Sequence, residues 1–230
     1  MPVIEFDDVG HTYATAGDSR TVLQGITVRL DEHRVGVIGA NGSGKSTFAR
    51  MLNALVVPTA GRVRIDGLDT ARQARSIRRR VGFCFTDPDA QIIMPTVAED
   101  VAFGLRGHGL TKAQVSERVE AALTTYGLAG HRDHPAHLLS GGQKQLLALA
   151  SVLVTGPELV VMDEPTTLLD LANLRRVREL VRHLPQQVVL VTHHLELLAD
   201  FDRVLVFHDT RLAFDGPPEA AVAAYRGLVE

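Results

Sequence analysis

Residues 39–47 read Gly39-Ala40-Asn41-Gly42-Ser43-Gly44-Lys45-Ser46-Thr47. A loop this rich in glycine brings successive backbone N–H groups onto a phosphate without interference from Cβ atoms, and a helix starting directly behind it adds its positive end. In such a loop Lys45 reaches the β- and γ-oxygens of a nucleoside triphosphate and Ser46 ligates Mg²⁺, while Gly39, Asn41, Gly42, Ser43, Gly44 and Thr47 complete the cradle. Average residue usage produces the four fixed positions in roughly 1% of chains of this length, so an ordinary Gly-rich turn is a weak rival. The loop alone leaves kinase, GTPase, helicase and transporter ATPase open.

Asp163 and Glu164 close the apolar run at 159–162. At the carboxyl end of a buried strand, Asp163 is placed to hold Mg²⁺ or its water, and Glu164 to face a water attacking the γ-phosphate. Taken alone, the pair also reads as a strand-end turn before Pro165. Thr192-His193-His194 follows the next apolar run, again where ligands of open α/β sheets gather, and His193 there can donate to a γ-phosphate. Leu139-Ser140-Gly141-Gly142-Gln143 reads as a helix start with a serine cap and glycines in its first turn, which leaves backbone donors bare. Each glycine there costs up to about 1 kcal/mol against alanine, so the sequence predicts a second anion site. One γ-phosphate cannot easily use two separated helix termini of one compact chain, which points to the site of another copy.

The elements that must hold these residues follow from periodicity. Residues 3–6, 22–30 and 61–67 alternate as half-buried antiparallel strands; 35–38, 159–162, 188–191 and 204–207 are continuous apolar runs, as in parallel strands covered on both faces. Between 86 and 157 helix signals dominate, with capping boxes at Thr96/Glu99, Thr111/Gln114 and Ser140/Gln143. A helix near 172–184, a hairpin over 204–214 and a terminal helix after Pro217-Pro218 complete the reading. The expectation is one domain over 1–230: an α/β core with antiparallel strands at 1–85 and 158–230, and a helical insert at 86–157 carrying residues 139–143. The 230 residues suffice for a sizeable core. A net charge of −3 argues against nucleic acid as a partner. The single Cys84 forms no internal disulfide and reads as an apolar filler in a cytosolic protein. No apolar run approaches the roughly 18 residues of a membrane span, and the start lacks a basic signal-peptide region, so any membrane role must come through a partner.

With these motifs in this order, the chain resembles the nucleotide-binding subunit of an ATP-binding cassette (ABC) transporter over essentially its whole length. The resemblance implies a P-loop NTPase (RecA-like) core with an antiparallel β subdomain and an inserted α-helical subdomain. It further implies ATP and Mg²⁺ as ligands, with Tyr13 stacked on adenine and Ser46, Asp163 and Thr86 at the metal. Glu164 would be the general base, His193 the γ-phosphate sensor, and Asp170 the D-loop aspartate. Ser140, Gly141, Gly142 and Gln143 would act in trans, so that two copies sandwich two nucleotides. Implied partners are a second copy and integral membrane subunits, with the chain peripheral on the cytoplasmic face of the membrane. Residues 85–103 are similar to a segment of energy-coupling factor importers of vitamins and transition metals, and residues 140–153 and 164–170 look most like the biotin module, with cobalt and nickel modules close by.

The match departs at several places. Thr86 stands where the family has a glutamine; it would meet the metal through a water, or Gln91 would swing in. Leu146 replaces a commonly basic residue, Leu168 and Leu169 stand where smaller residues are usual, and His194 takes a usually acidic place. His131, His134 and His137 recur every third residue, but Pro135 breaks their alignment, so a solvated loop is expected over a metal site. Arg75, Arg78, Arg79 and Arg80 read as a solvated helix end. The rival functions are a soluble non-transport ABC ATPase, which usually carries a long coiled-coil insert, and a P-loop kinase, which would not need residues 140–142.

Overall fold

The computed structural model describes residues 1–15, 17–167 and 169–230; Leu168, one of the departures noted above, lies outside them. Its residues group into two compact units: 1–83 with 158–164 and 182–230, and 84–157 with 165–181.

The first unit carries strands β1 (Ile4–Thr15), β2 (Asp18–Leu30) and β3 (Arg34–Gly39), helix α1 (Lys45–Leu52), strands β4 (Ala60–Ile65) and β5 (Leu68–Asp69), and helix α2 (Ala74–Arg80). Strand β6 (Val81–Cys84) ends this stretch. Among the described residues β2-β1-β4-β5 form an antiparallel sheet. The strand β1 is longer than its alternation suggests. Its register with β2 shifts between Phe6 and Val9, between Val9 and His11, and between His11 and Thr12, with Asp8 at φ 46°, and each bulge resets the period-two pattern. Four-residue β6, interrupted by Gly82, was too short to register as a run.

The second unit holds helices α3 (Val97–Gly104), α4 (Lys112–Thr125) and α5 (Gly141–Leu153), and most of α6 (Leu171–His183), whose last residues belong to the first unit. Strand β7 (Leu159–Asp163) precedes α6; strands β8 (Gln187–Val191), β9 (Arg203–His208), β10 (Arg211–Gly216) and helix α7 (Pro218–Val229) follow it. The large sheet runs β10-β9-β3-β8-β7-β6. In it β3 pairs in parallel with β8 and β9, and β7 with β8. Every residue of β3, β7 and β8 is buried, as continuous apolar strands require. Phe48 on α1 stacks on Phe6 of β1 with centroids 4.3 Å apart and lies 5.1 Å from Phe207 of β9. The helix behind the glycine loop is thus wedged against both sheets, and truncating Phe48 to Ala would cost about 3–5 kcal/mol.

The basic run on α2 is not simply solvated. Arg80 makes a fork to both Glu158 oxygens at 2.7 and 2.6 Å and also bonds Asp66, and Arg78 donates to the Asn53 and Ala54 carbonyls at 3.4 and 2.8 Å. Cys84 is fully buried as expected, and burial pushes its thiol up to about 12. In the second unit all three capping boxes form. Buried Asp100 of α3 is satisfied by the Ile93 and Met94 N–H groups at 2.9 and 3.1 Å and the Ser151 hydroxyl at 2.8 Å.

Candidate functional site

Strand β3 runs straight into the glycine loop and α1. Gly44 sits at φ 103°, and a Cβ there would lie 2.4 Å from the Val22 carbonyl oxygen, so neither the conformation nor the space admits another residue. It precedes α1 without a side-chain cap, which leaves the first N–H groups of the helix available to an anion. Lys45 curls back over the loop, donating to the Gly39 and Ala40 carbonyls at 2.8 and 2.9 Å. Burial lowers its pKa, opposed by the nearby Glu164 and Asp163 carboxylates.

Parallel pairing of β7 and β8 sets Asp163 beside Val191, so the residues that follow both strands emerge at one sheet end. Asp163 is 1% exposed and accepts from the Ser46 hydroxyl at 2.9 Å, with Arg50 Nη2 at 3.7 Å from its other oxygen. Burial raises its pKa, against the Ser46 hydrogen bond and the Arg50 and Lys45 charges. Glu164 is held at φ 55°, its N–H donating to the Val191 carbonyl at 3.0 Å. A left-handed glutamate is strained, and strain of this kind gathers at functional sites. Its carboxylate lies 2.9 Å from His193 Nε2. Tyr13 is 41% exposed, its hydroxyl 3.4 Å from Thr47 Oγ1 and its ring edge-on to His11.

Tyr13, Asn41, Gly42, Gly44, Lys45, Ser46, Thr47, Glu164 and His193 line one cavity of about 320 Å³. Asp163 reaches this group through Ser46. Gly39 lies at the base of the loop, and the Ser43 hydroxyl is buried with no hydrogen-bond partner among the described residues. Two further residues were missed. Arg20 lines the same cavity, and only the β1–β2 register reveals it. Arg50 was readable, because it follows Ser46 by one helical turn and so shares its face.

Thr86, residues 140–143 and Asp170 belong to the second unit. Ser140 Oγ accepts the Gln143 N–H at 3.3 Å while Gln143 Oε1 accepts the Ser140 N–H at 2.9 Å. The remaining Gln143 amide group donates to His131 Nε2 at 3.0 Å. The two glycines differ. A Cβ on Gly142 would lie 2.4 Å from Asn173 Nδ2, whereas one on Gly141 would meet open space. Gly142 therefore has a packing reason within the chain, which corrects the view that both glycines demand a ligand. Asp170 caps α6 through the Asn173 N–H at 2.8 Å. Thr86 is half-buried after β6. Gln91 is not available to swing in: its carbonyl accepts the Phe85 N–H at 3.1 Å and its amide donates to Ala148 O at 3.0 Å. His194 Nδ1 lies 3.3 Å from Glu196. Among the described residues no three His, Cys, Asp or Glu side chains form a metal cluster, the three spaced histidines included.

A glycine loop, its lysine, a hydroxyl–carboxylate pair and a carboxylate–imidazole pair at one sheet end define a P-loop nucleotide hydrolase. The sequence matches the family model described as ABC transporter over residues 23–167, and the chain belongs to that family. It is 54% identical over 224 residues to a putative ABC transporter ATP-binding protein of Deinococcus radiodurans, covering 97% of each chain. To the biotin transport ATP-binding protein BioM of Rhizobium etli it is 47% identical over 225 residues, covering 98% of each. The solved structure of cbiO1 from Clostridium perfringens, described as part of the ABC transporter complex cbiONQ, matches with a TM-score of 0.83 at 30% identity, over 96% of this chain and 90% of that one. The chain is accordingly an ATP-binding ABC ATPase on the P-loop NTPase fold. No helix among the described residues is long and apolar enough to cross a membrane.

Proposed function

We propose that this chain is the ATP-hydrolysing subunit of an energy-coupling factor importer, bound peripherally to integral membrane subunits on the cytoplasmic face, and that its solute is biotin. The observation that carries the ATPase chemistry is the convergence of Lys45, the Ser46–Asp163 pair and the Glu164–His193 pair about one end of the large sheet. The importer class and solute rest on likeness: 47% identity to the biotin transport ATP-binding protein BioM across 98% of the chain, against 41% to a cobalt import ATP-binding protein CbiO across 89% of it.

In this reading the loop N–H groups and Lys45 offset the charge of the β- and γ-phosphates, and Tyr13 packs on the adenine. Ser46 and Asp163 supply hard oxygen ligands 2.9 Å apart, a donor set that suits Mg²⁺, which takes one or two carboxylates together with substrate phosphates. Bound there, the ion would supply Lewis-acid polarisation of the phosphate oxygens. Thr86 would reach it only through hydration water, being shorter than the glutamine it replaces. Glu164 accepts the proton of the attacking water as its oxygen forms the bond to the γ-phosphorus and the bond to the β-bridging oxygen breaks, giving ADP and phosphate. His193, whose Nε2 lies 2.9 Å from the Glu164 carboxylate, would donate its N–H to the γ-phosphate. Ser140, the open edge at Gly141 and the Gly142 N–H complete the site of a second copy, with Gln143 holding Ser140 in place through the capping box and Asp170 at the same junction.

The test is uptake of labelled biotin by cells lacking the gene. Wild-type chain should restore it and Lys45→Ala should not. Restored cobalt or nickel uptake with biotin unchanged would reassign the solute. Unchanged uptake of all of these, with the chain recovered apart from membranes, would overturn the importer reading.

A further inference from the structure

Arg20 of β2 stands directly opposite Tyr13 of β1 in the antiparallel register, and residues so paired project from the same sheet face. Both line the cavity that the glycine loop also lines. A Cβ built on Gly42 would lie 3.1 Å from Arg20 Nη2, so the guanidinium rests on the surface of the loop. It makes no ion pair among the described residues, although arginines elsewhere in this unit are engaged: Arg29 with Glu5, Arg80 with Glu158, Arg203 with Asp215. The other charged groups at the cavity are Lys45, already held by loop carbonyls, and Glu164 with His193. A cation left unpaired against a phosphate loop offers a planar fork that matches phosphate oxygens.

We propose that Arg20 is a second cationic contact for the phosphate chain of the nucleotide, on the strand side of the loop, and that it grades affinity by the number of phosphates. This rests on the reading of the cavity as a nucleoside triphosphate site. Because Arg20 is exposed, its charge is screened and its effect is moderate, about tenfold in affinity for a triphosphate.

Calorimetric titration of wild-type, Arg20→Ala and Arg20→Lys chains with a non-hydrolysable ATP analogue, ADP and AMP tests this, with thermal melts to confirm folding. Arg20→Ala should weaken the triphosphate about tenfold, ADP less and AMP hardly at all, while Arg20→Lys falls between; wild-type affinity should drop more steeply with salt than that of Arg20→Ala. Equal losses for AMP and triphosphate would place the guanidinium on the base or ribose, and an unchanged triphosphate affinity would remove it from the site; either overturns the proposal. Failure of the wild-type chain to bind any nucleotide, with Lys45→Ala no different, would overturn the nucleotide reading itself.

Discussion

The cap that Ser140 forms and the role proposed for it at a second copy's nucleotide are separable by one pair of substitutions. Its hydroxyl accepts the Gln143 N–H at 3.3 Å and caps α5, and the proposed function also has it donate to the γ-phosphate held by a second copy. Ser140→Ala leaves that N–H to water, because residue 140 is exposed. Losing such a cap costs about 1 kcal/mol, and in a chain of this size that lowers Tm by about 2–4 °C. A loss of this size is a small part of a folding stability of about 5–15 kcal/mol, so the folded fraction hardly changes. Removing a donor from a developing phosphate charge costs far more, about 10²–10³ in kcat. Ser140→Asp separates the two, since aspartate caps as well as serine but brings a carboxylate where a donor is needed. Its Tm should return to the wild-type value while phosphate release stays at the level of Ser140→Ala. Phosphate release at saturating ATP and thermal melts on the same preparations give both numbers. Near wild-type hydrolysis by Ser140→Asp would show that the hydroxyl serves as a cap alone and would refute the reasoning.

Lys45→Ala should lower phosphate release by about two to three orders of magnitude, since no other side chain supplies charge from within the loop; a rate within severalfold of wild type contradicts this. Acid should weaken the fold through His11, which is 8% exposed and whose pKa burial lowers below the ordinary 6.5, the neighbouring Val57 backbone opposing in part. The unfolded chain takes up this proton near 6.5 and the folded chain resists it, so the contribution is fully present above 6.5 and is lost as pH falls from 6.5 toward the folded value. Urea melts of wild type and His11→Phe from pH 7 to 5 should therefore show wild-type stability declining more steeply; parallel curves would contradict it.

How far the sequence carried the reading differs by element, for physical reasons. The helix starts of the second unit were readable because a capping box is closed within four residues, as at Thr96 and Glu99. The apolar runs of β7 and β8 also announced themselves, and their parallel pairing then put Glu164 within 2.9 Å of His193. Strand β1 was cut short because its bulges scramble the alternation that a strand is recognised by. Arg20 and Asn173 were invisible for a different cause. One matters through a cross-strand register and the other through contact with Gly142 from a separate helix, and neither relation has a local signature. The arginines of α2 read as solvated in sequence because a charge run carries no record of the Glu158 and Asp66 carboxylates that meet Arg80.

Glu164→Gln keeps the size and hydrogen-bonding reach of the side chain but removes the proton acceptor. In light scattering coupled to size exclusion with saturating ATP and Mg²⁺, this variant should run at twice the mass of one chain, and adding Ser140→Asp should return it to a single-chain mass. A Glu164→Gln chain that stays single with nucleotide demonstrably bound would contradict the shared two-copy site on which the proposed mechanism depends.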